Sequence, residues 1–317
     1  MAGQIGTTLG WTLVQAVVLL TLAPFIQGII KKTKARLQNR IGPGVWQPYY
    51  DLIKYFKKDA VISAHASWLT VATPYIAFSA VLTAGFFIPT FMAGAPLGFA
   101  GDIVLIVYLF GVARFFTALT ALDQGSAFGG MGSSREMALS AIAEPALFLA
   151  ALAVLLSGGT ANLDRLLQTS NAHGLSGTEP TYWLALLAML IVLIAETGRI
   201  PVDNPDTHLE LTMIHEGMLL EYSGRYLGLM VWAHQIRQLL LMTLMIDFFF
   251  PWGIAAGSGA GALIVSFIVY VGKLAALGML LAFIETIYAK IRLFLVPKLL
   301  ASSMILSLLA ILIRVME

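Results

Sequence analysis

The chain has 317 residues, of which 59% are hydrophobic and 11% charged, with a formal net charge of +2 and a mean hydropathy of +0.85. Soluble domains carry about 25% charged residues, so this chain cannot cover a water-facing surface. A soluble globular enzyme, a disordered chain and a nucleic-acid binder are excluded. Cysteine is absent, which removes disulfides, iron–sulfur ligands, cysteine zinc sites and thiol nucleophiles. Redox metal chemistry tied to this chain has to sit largely on another one.

A bilayer-crossing helix needs roughly 17–25 mostly apolar residues. Eight stretches qualify in chain order: about 9–30, 69–93, 101–122, 137–157, 180–197, 226–248, 261–284 and 296–314. Residues 1–8 hold no Lys or Arg, so the first stretch reads as a retained anchor rather than a cleaved leader. The fifth is the shortest and ends at Glu196. The expected fold is an all-α polytopic membrane protein of about eight transmembrane helices with ordered cytoplasmic loops. It forms one domain over 1–317, and the loops are 31–68, 123–136, 198–225 and 285–295. Lys and Arg favour one face. Eight lie in 31–68, joined by Arg135, Arg199, Arg225, Lys290, Arg292 and Lys298; Arg165 and Arg314 face the other way. The basic face is assigned to the cytoplasm, with both termini outside.

The outer connections, 158–179 and 249–259, read as plain linkers. The inner ones are richer. WQPYYDLIKYFKK (46–58) sets aromatic and aliphatic residues at helical spacing against lysines, the pattern of a helix lying in the membrane interface. RLQNRIGPG (36–44), with Arg36, Gln38 and Arg40, looks built to hold a fixed loop shape or a partner. Residues 196–225 hold six of the seventeen acids: Glu196, Asp203, Asp206, Glu210, Glu216 and Glu221. Pro201 and Pro205 interrupt any helix, and Thr207 is placed to cap one running to about Tyr222. Leucines, methionines and Ile214 are interleaved with the acids, so the acids are expected to tuck against the membrane domain. Two histidines seven apart, His208 and His215, with no HExxH make a poor metal site.

Charges inside a span are costly, about 2.5–3.5 kcal/mol at mid-bilayer. At about 1.5 Å per residue, Glu144 and Arg114 come out roughly 11–12 Å from the inner end of one helical hairpin, as an expected ion pair. Arg237 and Lys273 come out near mid-membrane, and His234 lies one turn shallower than Arg237. Together with the loop acids they suggest a protonation ladder that stops half-way. Asp102 and Asp247, at the outer ends, are expected to be solvated.

RLQNRIGPGVWQPYYDLIKYFKKD (36–59), LDQGSAFGGMGSSRE (122–136) and AETGRIPVDNPDTHLELTMIHEGMLLEYSG (195–224) resemble one family. It comprises the eight-helix junction subunit of respiratory complex I and its counterpart in group 4 membrane-bound NiFe-hydrogenases and formate hydrogenlyase. The hydrogenase branch is the nearer. Gly42-Pro43 and Gln47-Pro48 are almost adjacent, and the acidic loop opens Glu196-Thr197-Gly198-Arg199 and then Pro201-Val202-Asp203.

The resemblance implies a non-catalytic subunit. Its inner loops would dock the arm of hydrogenase large and small subunits and a ferredoxin-like iron–sulfur subunit. Antiporter-like membrane subunits would be its lateral neighbours, in a bacterial or archaeal cytoplasmic membrane. Arg36, Gln38, Arg40, Gln47, Asp51, Lys54 and Arg199 are the expected docking residues. Glu144, Glu196, Asp203, Asp206, Glu210, Glu216, Glu221, Lys273, Arg114, Arg237 and His234 are the expected proton or sodium pathway. No cofactor is expected in this chain; the NiFe centre and 4Fe–4S clusters belong to partners. The rival readings are a quinone-site subunit of a proton-pumping NADH dehydrogenase, a stand-alone transporter and a purely structural anchor.

Overall fold

The computed structural model describes residues 2–92, 94–98, 102–158, 160, 162–167, 179–203, 213–255 and 259–316. Their helices are α1 (Ala2–Leu37), α2 (Gln47–Lys57), α3 (Trp68–Gly85), α4 (Ile103–Asp123), α5 (Ala127–Gly158), α6 (Pro180–Glu196), α7 (Gly224–Phe249), α8 (Ala260–Ile287) and α9 (Val296–Met316). Seven are long and apolar enough to cross a membrane; α6, of 17 residues, is an eighth apolar helix at the lower limit of length. The other, α2, is the expected amphipathic helix: Pro48 and Leu52 face the protein, while Lys54 and Lys57 are exposed.

α7 lies at the centre although it carries Gln235, Arg237, Gln238 and Asp247, all buried. It packs on α1, α2, α3, α6 and α8, and 78% of its most apolar stretch is buried, against 22% for the peripheral α9. One layer of the bundle is α4, α5, α6 and α9; α1 and α8 pair on the other side of α7, and α3 joins α4 to it.

The basic connections gather at one end. Val61 N–H donates to Ser223 Oγ (2.7 Å), and Ser67 and Thr70 bind Asp123 across α3 and α4. Ile291 N–H donates to Pro201 O (2.9 Å). Two helices end there with the same device. At the end of α1, Asn39 adopts a φ of 55° and Arg40 N–H returns to Ala35 O. At the end of α6, Gly198 adopts a φ of 58° and Arg199 N–H returns to Ile194 O. Both are left-handed caps that satisfy the last carbonyls. The 36–46 loop then folds back on α1: a Cβ at Gly28 would lie 1.9 Å from Val45 O, and Lys32 Nζ donates to Ile41 O (2.8 Å). Its fixed shape is as expected.

Three expectations change. The second span stops at Gly85 rather than 93, because Pro89 cannot continue it. Most of loop 123–136 is helix: α5 starts at Ala127, and Gly129 and Gly132 lie where other chain segments press against it. Thr207–Tyr222 is not one helix. Residues 204–212 lie outside the described residues, and 213–223 form turns around a short 3₁₀ segment, Glu216–Met218.

The opposite end is not made of plain linkers. Phe91 O accepts from Ala255 N–H (3.3 Å) and from Ser266 Oγ; Asn162 Nδ2 donates to Gly98 O (2.7 Å) and Ala95 N–H to Asp164 Oδ1 (2.9 Å). Short bridges pair Met92 with Ala255 and Asp102 with Asn162. These contacts tie three connections into a cap.

Candidate functional site: a buried charge cluster under a short lid

Arg114, at the middle of α4, is the hub. Its Nε lies 3.1 Å from Glu136 Oε1, its Nη1 donates to Glu144 Oε1 at 2.7 Å, and its Nη2 donates to Glu196 Oε2. Arg237 Nη2 reaches the same Glu196 oxygen, and its guanidinium lies 5.8 Å from the Phe110 ring centre. Four helices thus meet through one fork. Arginine suits the position because its planar donors engage several carboxylates at once and it stays charged. Arg114, Glu136, Glu196 and Arg237 are buried; the Glu144 side chain is 40% exposed, on the outer face of the α4–α5 hairpin.

A lid closes the cluster from the basic end. Ile214 N–H donates to Asp203 Oδ2 (3.2 Å), and Arg135 Nη1 donates to Met213 O (3.0 Å). The lid lies on the glycine-rich first turns of α5, where a Cβ at Gly132 would come within 3.0 Å of Ile214 O. The lid places His215 Nδ1 2.9 Å from Glu136 Oε2, and the His234 ring packs edge-on to His215 at 6.0 Å. Burial alone would lower the affinity of His215 for a proton, but the adjacent Glu136 carboxylate outweighs it, and the pKa is raised.

A second ionic group staples the helix ends. Arg199 donates to Glu285 Oε1 (2.5 Å), Gln27 Oε1 (2.7 Å) and Gln238 Oε1 (2.9 Å), and Lys34 lies 3.2 Å from Glu285. Lys290 binds Asp203 at 2.8 Å. Arg199 is therefore buried within the chain, apart from the exposed residues expected to dock a partner. The left-handed Gly198 turns it inward, where it joins α1, α7 and α8.

The other expected residues divide by location. Arg36, Gln38, Arg40, Gln47 and Lys54 are exposed at the basic end, and Gln47 Nε2 donates to Asp51 Oδ1 (2.9 Å). Glu216 and Glu221 are exposed rather than tucked in, since they follow a turn and not a helix face. Asp206 and Glu210 lie outside the described residues. Lys273 does not join the cluster. Its Nζ donates to Phe250 O (2.7 Å) and to Trp252 O, and it lies 4.1 Å from the Trp252 ring centre, at the far end of α7. Asp247 is buried, not solvated, and neither carboxylate oxygen has a hydrogen-bond partner among the described residues.

Five members of these ionic groups were not among the expected site residues: Lys34, Glu136, His215, Glu285 and Lys290. Glu136 closes the 122–136 motif and was hidden by reading that motif as loop. His215 had been weighed only as a metal ligand. Among the described residues no group of three or more His, Asp or Glu could hold a metal ion.

Three cavities among the described residues touch the cluster or its lid, and another lies apart from it. One of about 180 Å³ lies between Lys31, Asp203, His215, Glu216 and Gln238 at the basic end. Two smaller ones, of about 70 and 20 Å³, lie against Arg114 and Glu136. A fourth, apolar and about 380 Å³, opens between α1, α2 and α7 at Leu20, Tyr49, Phe56 and Trp232.

The comparisons bear on the same architecture. The family model described as NADH dehydrogenase matches residues 10–316. Formate hydrogenlyase subunit 4 of Escherichia coli (strain K12) is 35% identical over 288 residues, 91% of this chain and 92% of that protein. Hydrogenase-4 component C of the same organism is 34% identical over 287 residues, 90% of this chain and 89% of that protein. Among solved structures, a chain of an archaeal respiratory membrane complex, the membrane-bound sulfane sulfur reductase, superposes with a TM-score of 0.85 at 22% identity. The match covers 97% of this chain and 99% of that one, and speaks to the fold alone. An all-helical membrane domain, the three sequence motifs and an end-to-end match agree: the chain belongs to the NADH dehydrogenase family of membrane subunits.

Proposed function

We propose that this chain is the integral membrane subunit of a formate hydrogenlyase-like hydrogenase complex, in a bacterial or archaeal cytoplasmic membrane with its basic end inward. The exposed Arg36, Gln38, Arg40, Gln47 and Lys54 would face the arm of hydrogenase large and small subunits and a ferredoxin-like subunit. The NiFe centre and the clusters would sit there, since this chain has no cysteine to bind a cluster. The Arg114 cluster would link the arm's redox state to proton or sodium movement, by an electrostatic change at the lid that alters the charge balance beneath it.

One observation carries this reading. The cluster runs from a polar cavity at the basic end to Glu144, whose carboxylate is 40% exposed at membrane depth. A charged group facing lipid costs about 2.5–3.5 kcal/mol. A neighbouring antiporter-like subunit covering the α4–α5 face would remove that cost and receive the ion. In inverted vesicles, Glu144→Gln in the assembled complex is expected to abolish ion translocation while hydrogen is still evolved. Full coupling in that variant would refute the reading.

The quinone-site reading keeps one observation in its favour, the apolar cavity beside α2. A quinone co-purifying with the complex, lost on Leu20→Trp, would support it.

A further inference from the structure

Three cavities share one wall. His215 lines the basic-end cavity and both cavities against Arg114 and Glu136, and no other described residue lines all three. Its two ring nitrogens face different sides. Nδ1 lies on Glu136 Oε2 at 2.9 Å. Neither nitrogen makes a hydrogen bond among the described residues, so Nδ1 meets Glu136 as a close ion-pair contact; the ring edge lies against Gly198, where an added Cβ would sit 2.7 Å from Cδ2 and 3.1 Å from Nε2.

Charge counting gives this ring a role. Among the described residues, the guanidinium groups that oppose Glu136, Glu144 and Glu196 are Arg114 and Arg237, which leaves one negative charge over. A protonated His215 balances it, and a neutral His215 does not. Buried charge of one sign is costly unless matched, so the proton on this ring and the proton count of the three carboxylates are coupled. The groups facing the ring are Glu136 on α5, His234 and Arg237 on α7, and Asp203 after α6. Arg114 and Glu196 lie beneath. Imidazole is the one side chain here that accepts a proton on one nitrogen while holding another to a carboxylate near neutral pH.

We propose that His215 is the proton gate between the basic-end cavity and the buried carboxylates. The ring, neutral with its proton on Nδ1, takes a proton on Nε2 from the cavity. It then gives its Nδ1 proton to Glu136, which becomes the neutral acid. The ring is left neutral with its proton on Nε2; it resets when it swings off Glu136 with the turn that carries it, Nε2 returning its proton to water of the cavity and Nδ1 taking one from the same water. Gly198 serves the gate because any side chain there would push the ring off Glu136. A move of the 213–218 turn, held to the rest by Asp203 and Arg135, would open or close it.

This inference rests on the ion-coupling reading above. The test uses the intact complex in inverted vesicles, with the ratio of protons translocated to hydrogen evolved as the readout, across pH. His215→Gln is expected to lower that ratio at least about tenfold, the lower end of what a placed proton carrier supplies being higher still, and to flatten its pH dependence. An unchanged ratio and pH profile overturns the gate. If His215→Gln prevents assembly, Gly198→Ala keeps the imidazole but displaces it, and full coupling there also overturns the gate. Wild-type vesicles that evolve hydrogen without translocating protons defeat the coupling reading and the gate together. Translocation by wild type and His215→Gln alike defeats the gate alone.

Discussion

The two ends of the bundle handle buried charge in opposite ways. At the basic end, Arg114 and Arg237 share three carboxylates, and Arg199, Lys34 and Lys290 neutralise Glu285 and Asp203. At the other end, Asp247 is buried with no hydrogen-bond partner among the described residues, and Lys273, near enough to act on its charge, donates instead to the carbonyls of Phe250 and Trp252. The first arrangement is a network whose members depend on one another. The second is a helix cap: a lysine meets the negative C-terminal end of α7. Between them run Leu239, Leu240, Leu241 and Met242, all buried and apolar. A membrane domain can therefore hold charge at both ends without connecting them.

Perturbations of each end should separate the two. Arg114→Met leaves Glu144 without its guanidinium, Glu136 with His215 and Glu196 with Arg237. Breaking a buried ion pair on one side costs about 3–5 kcal/mol, so the subunit should fail to assemble or melt at a much lower temperature. A normal melting temperature would mean that the cluster is not a network. Lys273→Met removes a cap, worth up to about 2 kcal/mol in a partly buried setting, together with a cation that acts on Asp247. It should lower the melting temperature slightly and leave the ratio of protons to hydrogen as in wild type. Loss of coupling in this variant would instead connect the two ends. The smallest effect concerns the lid. The His215 pKa is raised in the folded protein, against burial, by Glu136. The ion pair therefore stabilises the lid fully below the ordinary histidine value of about 6.5. That contribution disappears as pH rises through the folded value. Amide exchange of residues 213–223, corrected for intrinsic rates, should show protection falling on the alkaline side, and His215→Gln should remove that trend.

Much of the fold is legible in the residues. The spans follow from apolar length, the interface helix from the alternation of aromatics and lysines, and the Arg114–Glu144 pair from matching depths in one hairpin. The site was less legible where local pattern and environment disagree. FGGMGSSRE is glycine- and serine-rich and reads as loop, yet it is helix because the lid packs on its small residues. Arg199 sits in a charged loop and reads as a surface residue. A left-handed cap at Gly198 sends it into the protein. Asp247 reads as an end-of-span, solvated acid, and the cap of connections over it makes it buried.

The amino-acid sequence by itself determined the class of protein, the number of apolar helices, the basic end and the absence of thiolate ligands. These depend on composition and on residues close together in the chain, and lipid enforces them strongly because an unpaired polar group has no water to turn to. Only the tertiary structure decided which charges neutralise one another. Arg114, Glu136, Glu196, His215 and Arg237 come from five separate segments, and their meeting depends on crossing helices, on two left-handed caps and on a few glycines. Charge scarcity marked each of these residues as important, but three-dimensional packing sorted them into a network, a staple and a cap.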